Sequence, residues 1–139
     1  MVTDTPWPAR TDLAWLLAHL VERLPHARKA VLLGSDGLPR AVHGMDAEDA
    51  DQLAALAAGL HALARTAGTR LPDAGGRVRQ ITVRLDSGLL IVTAAGQTAA
   101  LAVLADPEAD AAALGHEMAL LVRSVRASLA IPLRQGARG

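Results

Sequence analysis

Five histidines are the side chains in this sequence best suited to metal binding or proton transfer. The chain has no cysteine, so thiolate chemistry and cysteine-based zinc sites are excluded. No two of the histidines are four residues apart, the spacing that puts two ligands on one face of a helix, so a site could form only if the fold brings distant residues together. We therefore predict structural roles and no metal site for all five: His19, His26, His43, His61 and His116.

Other groups that could support catalysis are isolated. Lys29 is the single lysine and lies outside any Gly-x-x-x-x-Gly-Lys-Ser/Thr phosphate loop, and no dinucleotide-binding fingerprint occurs. Ser35 follows a glycine in a turn rather than at a strand-to-helix elbow. The pair His116–Glu117 and the acidic residues of 46–51 are explained by a solvated helix face and by pairing with a helix dipole. We predict that the protein is not an enzyme and has no cofactor.

Composition narrows the classes of partner and location. Fourteen basic and fourteen acidic residues cancel, and no basic block with interleaved aromatic residues occurs, so we predict that nucleic acid is not a partner. Residues 87–105 carry no charge over the length of a membrane-spanning helix, but turn residues interrupt them and β-branched residues are frequent. We predict two buried strands there and no transmembrane segment. The start of the chain lacks the pattern of a signal peptide, and we expect a cytoplasmic protein, with recruitment to a membrane only through a partner.

The elements that must position these residues follow from periodicity, caps and turns. They predict one α+β domain, with a five-stranded, largely antiparallel sheet covered by helices on both faces. Pro25 should end the first helix and Pro132 the last. The predicted domain spans 11–131, with a flexible arm at 1–10 and a flexible tail at 132–139. The expected order is helix, two strands, helix, three strands, helix, over residues 11–24, 29–33, 38–43, 46–68, 77–85, 89–94, 99–104 and 107–131.

The middle helix has no charged side chain between Asp51 and Arg65, so it lacks an ordinary water-facing side. Its leucines follow one helical stripe and are predicted to face the core: Leu53, Leu56, Leu60 and Leu63. Its small residues form the neighbouring sector, where another helix could approach closely: Ala50, Ala54, Ala57, Ala58, His61 and Ala64. Either this helix is buried on two sides within one chain, or the small sector meets a symmetry-related copy.

These pieces together resemble the Roadblock family of dynein-light-chain-like domains, in particular small bacterial members related to partner proteins of polarity GTPases. The resemblance covers about residues 12–129 and depends on order and spacing rather than on one motif. It is carried by Leu-Ala-Trp-Leu-Leu at 13–17, Ala-Val-Leu-Leu at 30–33, Asp-Gly-Leu at 36–38, residues 49–55 and 59–64, Val-Thr-Ala-Ala-Gly at 92–96 and Glu-Met-Ala-Leu-Leu at 117–121.

The resemblance implies a Roadblock/profilin-like sandwich with the middle helix on one sheet face and the terminal helices on the other. It also implies a homodimer in which the middle helices pair and the third strands join edge to edge. The interface residues expected on this basis are Ala50, Ala54, Ala57, Ala58, His61, Arg65, Gln80, Thr82 and Arg84.

For function, the resemblance implies a non-enzymatic regulatory or scaffold protein. Such a protein would bind a Ras-like small GTPase and modulate its nucleotide cycle or localisation. The alternative is a small-molecule or signal-sensing module that works beside a sensor kinase. That alternative requires a cavity between sheet and helix with a few polar groups in its lining.

Overall fold

A computed structural model describes residues 10–73 and 75–138 of the 139-residue chain. Nine of the ten residues of the predicted arm, 1–9, lie outside the described residues. The order of helices and strands agrees with the prediction. The elements are α1 (Arg10–Arg23), β1 (Ala27–Gly34), β2 (Pro39–His43), α2 (Ala47–Arg70), β3 (Gln80–Leu85), β4 (Gly88–Ala94), β5 (Ala99–Ala105) and α3 (Ala111–Arg138).

The five strands form one antiparallel sheet in the order β2-β1-β5-β4-β3, which confirms the predicted fold class. The edge strands are therefore β2, which begins at Pro39, and β3. An edge position suits proline because its nitrogen cannot donate a ladder hydrogen bond. α2 covers one face of the sheet, and α1 and α3 cover the other.

The core consists of two apolar layers separated by the sheet. Successive residues of the central strands alternate between the layers, so Leu89 and Ile91 pack towards α1 and α3 while Leu90 and Val92 pack towards α2. Burial on both sides explains why residues 87–105 are continuously uncharged. Of the helices in the described parts of the chain, none combines the length and hydrophobicity that a membrane-spanning segment needs.

Local signals fix the connection before α2 and the β1–β2 turn. Asp46 is the N-cap of α2, and its Oδ1 accepts a hydrogen bond of 2.8 Å from the Asp49 backbone N–H. In the β1–β2 turn, Gly37 has a φ of +81°, a conformation that a side chain would disfavour. The turn also brings the Gly37 backbone close to α2, beside Ala55 and Ala58.

The ends of α3 differ from the prediction. The helix begins at Ala111, four residues later than predicted, and Asp110 caps it: its Oδ1 accepts hydrogen bonds from the N–H groups of Ala112 and Ala113. Asp106 instead begins a turn closed by the hydrogen bond from the Ala109 N–H to its carbonyl. The prediction that α3 ends at Pro132 is wrong, because the helix continues to Arg138. A proline removes one intrahelical hydrogen bond and can bend a helix without ending it.

Candidate interaction surface

The side of α2 that packs on the sheet is made mainly of alanine. Ala54 and Ala57 are fully buried, and Ala50 and Leu53 are nearly so. Leu53, Ala54 and Ala57 belong to the same buried apolar layer as Val31, Leu33 and Val92 of the sheet. Because alanine projects only a methyl group, the helix backbone can approach the sheet closely and still bury a continuous apolar surface.

The predicted core stripe of α2 is therefore wrong for two of its four leucines. Leu56 is 64% exposed and Leu63 is 71% exposed. Both lie about 120–140° around the helix from the centre of the buried alanine face. The alanine and leucine stripes have the same helical spacing, so periodicity alone did not decide which one faces the sheet. The small residues Ala50, Ala54 and Ala57 were predicted to lie on a side open to another helix. They are instead buried against the sheet of their own chain.

The exposed side of α2 is an uncharged strip about 21 Å long. We call it the α2 strip, and its members are Gln52, Ala55, Leu56, Gly59, Ala62, Leu63 and Thr66. At Gly59, a Cβ atom would meet no other atom within 4 Å, so the middle of the strip is open to close approach. Acidic residues occur before it, in the first turn of α2, and Arg70 follows it in the last turn. The uncharged side of this helix is therefore exposed in the single chain, and it consists of different residues from those predicted to form it.

Leu60 links the leucine side of α2 to the edge strand β3. Leu60, half-buried beside Leu56 and Leu63, packs into the same apolar layer as Ile81 and Val83 of β3. β3 pairs with β4 along one side only, so its other backbone edge is unpaired among the described residues. Together, the strip and the strand present apolar side chains next to open hydrogen-bonding groups, the combination expected of an uncovered interface.

The three predicted interface residues of β3 point away from α2. Gln80, Thr82 and Arg84 are exposed and alternate with Ile81 and Val83, so their side chains lie on the sheet face of α1 and α3. The Gln80 side chain lies against α3, where it fills the space beside Gly115, and its Nε2 donates to the Thr82 hydroxyl at 3.1 Å. The three residues therefore border the open edge of β3 through their backbone atoms, and their side chains do not take part in the apolar layer beneath α2.

The remaining predicted residues meet in a shallow cleft on the flank of α2 opposite to β3. Ala58 and His61 are half-buried there and Arg65 is exposed. Partial burial, followed by the positive charge of Arg65, lowers the pKa of His61 below its ordinary value of 6.5. No carboxylate lines the cleft, so it contains no acid–base pair for hydrolysis. The lining consists of Leu33, Gly34, Ser35, Ala58, His61, Ala62, Arg65, Gln97, Ala99 and Ala100.

A second pocket lies on the other face of the sheet, between α1 and α3. Every residue in its lining is Leu, Val or Ala, so no side chain there could hydrogen-bond a small molecule. It therefore lacks the few polar groups that a sensor cavity would need. The lining residues are Leu13, Leu16, Leu17, Leu32, Ala95, Leu101, Leu121 and Val122.

Sequence reasoning did not assign to the interaction surface the exposed leucines Leu56 and Leu63 or the half-buried β3 residues Ile81 and Val83. The missing charge between Asp51 and Arg65 did indicate an unusual helix face. The alanines at 50, 54 and 57 are the signal that could have indicated which side of α2 faces the sheet, since helices that lie close to a sheet bury small residues.

Comparison with known proteins supports the fold described above. The sequence model for the Roadblock/LC7 domain matches residues 13–105. A Roadblock/LC7 domain from Streptomyces avermitilis is 58% identical, with a TM-score of 0.79, and the match covers 84% of this chain and 96% of that one. A second domain from that organism is 34% identical with a TM-score of 0.66, covering 81% and 97% of the two chains.

A more distantly related structure also shares the fold. Myxococcus xanthus MglB is 16% identical, with a TM-score of 0.76, and the match covers 93% of this chain and 95% of MglB. A search of curated proteins finds no match for this chain.

Proposed function

The chain belongs to the Roadblock/LC7 domain family, and we propose that it is a non-enzymatic homodimeric scaffold that binds a Ras-like small GTPase and regulates its nucleotide cycle or localisation. The observation that carries this proposal is the uncharged α2 strip next to the open edge of β3. A second copy of the chain would cover both at once. Burial of Leu56 and Leu63 would remove from water the most exposed apolar side chains of α2.

The charges at the two ends of α2 favour an antiparallel arrangement of the paired helices. Glu48 and Asp49 lie in its first turn and Arg70 in its last. Asp49 and Arg70 are equidistant from the same midpoint of the helix as Leu56 and Leu63. A two-fold axis at that midpoint would therefore place Leu56 of one copy against Leu63 of the other, and the acidic end against the basic end.

Such a dimer would also give hydrogen-bond partners to the unpaired backbone groups of the edge strand β3. Two β3 strands related by the same axis run antiparallel and can pair into one continuous sheet. In this arrangement Ile81 and Val83 extend the seam beneath the paired α2 helices, while Gln80, Thr82 and Arg84 remain on the opposite sheet face. The proposed seam thus replaces the buried alanines of the original prediction with Leu56, Gly59, Leu63, Ile81 and Val83.

Membership of the Roadblock/LC7 family supports a small GTPase as the proposed partner. Of the residues that line the cleft of His61 and Arg65, Ala62 alone also belongs to the α2 strip, so dimerisation through the strip would leave the rest of the lining accessible. Without an acid–base pair in that cleft, regulation would act by holding the GTPase's own loops in place. Ras-like GTPases that are active in the same cells are the candidates to test.

A binding experiment with matched variants tests the proposal. Purified wild-type protein would be titrated by calorimetry with candidate Ras-like GTPases, each loaded with GDP or with a non-hydrolysable GTP analogue. We expect one nucleotide state of one GTPase to bind at micromolar or lower Kd, and Leu56→Glu to lose binding as it loses the dimer. Glu22→Gln, on the exposed side of α1, is the matched control and should bind as wild type does. Equal binding of both nucleotide states, or binding of none, would contradict a regulatory role.

A further inference from the structure

Two chain segments that are far apart in sequence meet where α1 leads into β1 and β5 leads into α3. The Asp106 backbone N–H donates to the His26 carbonyl at 2.8 Å and joins them. His26 has a φ of +74°, which is uncommon outside glycine. This junction lies on the α1 and α3 side of the molecule, away from the α2 strip.

The side chains at this junction bring together three metal-ligating groups. His26, Asp106 and Glu108 each offer one ligand atom, and these atoms all lie within 4.8 Å of one another. The His26 Nδ1 is 3.7 Å from the Asp106 Oδ2, beyond ordinary hydrogen-bond distance. The two atoms are thus close without being bonded directly.

The two oxygens of Asp106 have different surroundings. Arg28 Nη1 donates to Oδ1 at 3.1 Å, while Oδ2 faces His26. A hydrogen bond to the second oxygen of a carboxylate is the kind of outer contact that orients a metal ligand. With His26 neutral, the four side chains sum to one negative charge, so a bound cation would not be repelled overall.

We propose that His26, Asp106 and Glu108 bind one divalent cation of the zinc class, with water completing its coordination. The mixed set of one imidazole and two carboxylates suits Zn²⁺ and its transition-metal neighbours, whereas Mg²⁺ and Ca²⁺ prefer oxygen alone. In a tetrahedral site with bonds near 2.1 Å, ligand atoms are about 3.4 Å apart. The His26 to Asp106 distance is already close to that value, and the exposed Glu108 can rotate inwards.

A cation at this position would join the start of β1 to the segment that precedes α3. Both segments border the layer that contains Leu20, Ala105 and Ala109, so the bound metal would hold this layer closed. Binding to the folded chain alone would raise its stability. No local sequence pattern indicates such a site, because its ligands lie on segments about 80 residues apart.

Calorimetric titration of Zn²⁺ into the full chain, prepared without a histidine tag and freed of metal by chelation, tests this assignment. We expect one site per chain and a rise in Tm with Zn²⁺. His26→Asn, chosen because asparagine tolerates a positive φ, should weaken binding at least tenfold, and Glu108→Gln should also weaken it. His19→Asn, an exposed histidine of α1 outside the cluster, should bind as wild type does.

Three outcomes would overturn the assignment. They are the absence of Zn²⁺ binding to the wild type at about 0.1 mM, unchanged Zn²⁺ binding by His26→Asn, and Mg²⁺ binding as tight as that of Zn²⁺. Circular dichroism of each variant without metal would show that the fold is intact, so lost binding cannot be attributed to unfolding.

Discussion

Leu56 and Leu63 lie two turns apart on the same outward side of α2, with 64% and 71% of their surface exposed. Their spacing of seven residues puts them in line along the helix axis. No described residue of the same chain covers them, although each is large enough to contribute ~1.5–3 kcal/mol when fully buried. This relationship decides how α2 variants should behave.

The first prediction concerns Leu56→Glu. The variant should stay folded because position 56 faces solvent in the monomer, while a carboxylate buried at the proposed seam should cost several kcal/mol of association. Light scattering at micromolar concentration should show the monomer mass of 14.4 kDa. Ala57→Glu is the contrast: it places a charge beneath α2 and should destabilise the fold itself by at least ~3 kcal/mol in urea denaturation. If Leu56→Glu remained dimeric, the α2 strip would not be the seam.

The second prediction concerns the charged ends of α2. Arg70→Glu should weaken the proposed dimer by roughly 0.5–1 kcal/mol, since it replaces an attraction to Glu48 and Asp49 of the second copy with repulsion. The dimer Kd, from sedimentation, should recover when Asp49→Arg is added to Arg70→Glu. Arg123→Glu, on the exposed side of α3 at the opposite sheet face, is the control. An unchanged Kd for Arg70→Glu would exclude the antiparallel arrangement.

A third prediction follows from the lowered pKa of His61. Because the folded pKa lies below 6.5, the unfolded chain binds more protons in the window between the two values. The contribution of His61 to stability should therefore be present above pH 6.5 and be lost as the pH falls through the folded pKa. Arg65 is the only other titratable side chain in the cleft lining.

Nuclear magnetic resonance titration of the His61 ring would measure that pKa directly. Arg65→Gln should raise it only part of the way to 6.5, since desolvation is the larger cause and remains. A complete return to 6.5 in Arg65→Gln would mean that burial plays no part.

The fourth prediction concerns the cap of α2. Asp46→Ala removes the acceptor for the Asp49 N–H and should cost about 1 kcal/mol of stability. Asp51→Ala removes an acidic residue of the same helix that does not cap it, and should change stability by less than about 0.5 kcal/mol. Urea denaturation of both variants would measure the difference. Equal losses would indicate a general charge effect and not a cap.

Much of the fold could be predicted because its signals are local. Pro25, the Asp36–Gly37 turn and the Asp46 cap mark boundaries by their own chemistry, and the uncharged run of 87–105 required strands covered on both faces. The site was harder to predict. Whether Ala54 or Leu56 faces the sheet depends on how closely α2 approaches the sheet. The helical spacing is compatible with either side, so only the tertiary structure decides. Likewise, the proximity of His26 to Asp106 arises only when β5 pairs with β1.

The alanine layer beneath α2 also acts as a spacer of fixed thickness. Ala54 and Ala57 have no exposed surface, so no unfilled space remains between the helix and the sheet at these positions. Two added carbon atoms there, as in Ala57→Val, would tilt or lift the helix because the packed layer has no room for them. In the proposed dimer that tilt would be doubled by the two-fold axis and would change the angle between the two sheets. Substitutions hidden inside one chain could in this way set which second chain, identical or divergent, it accepts.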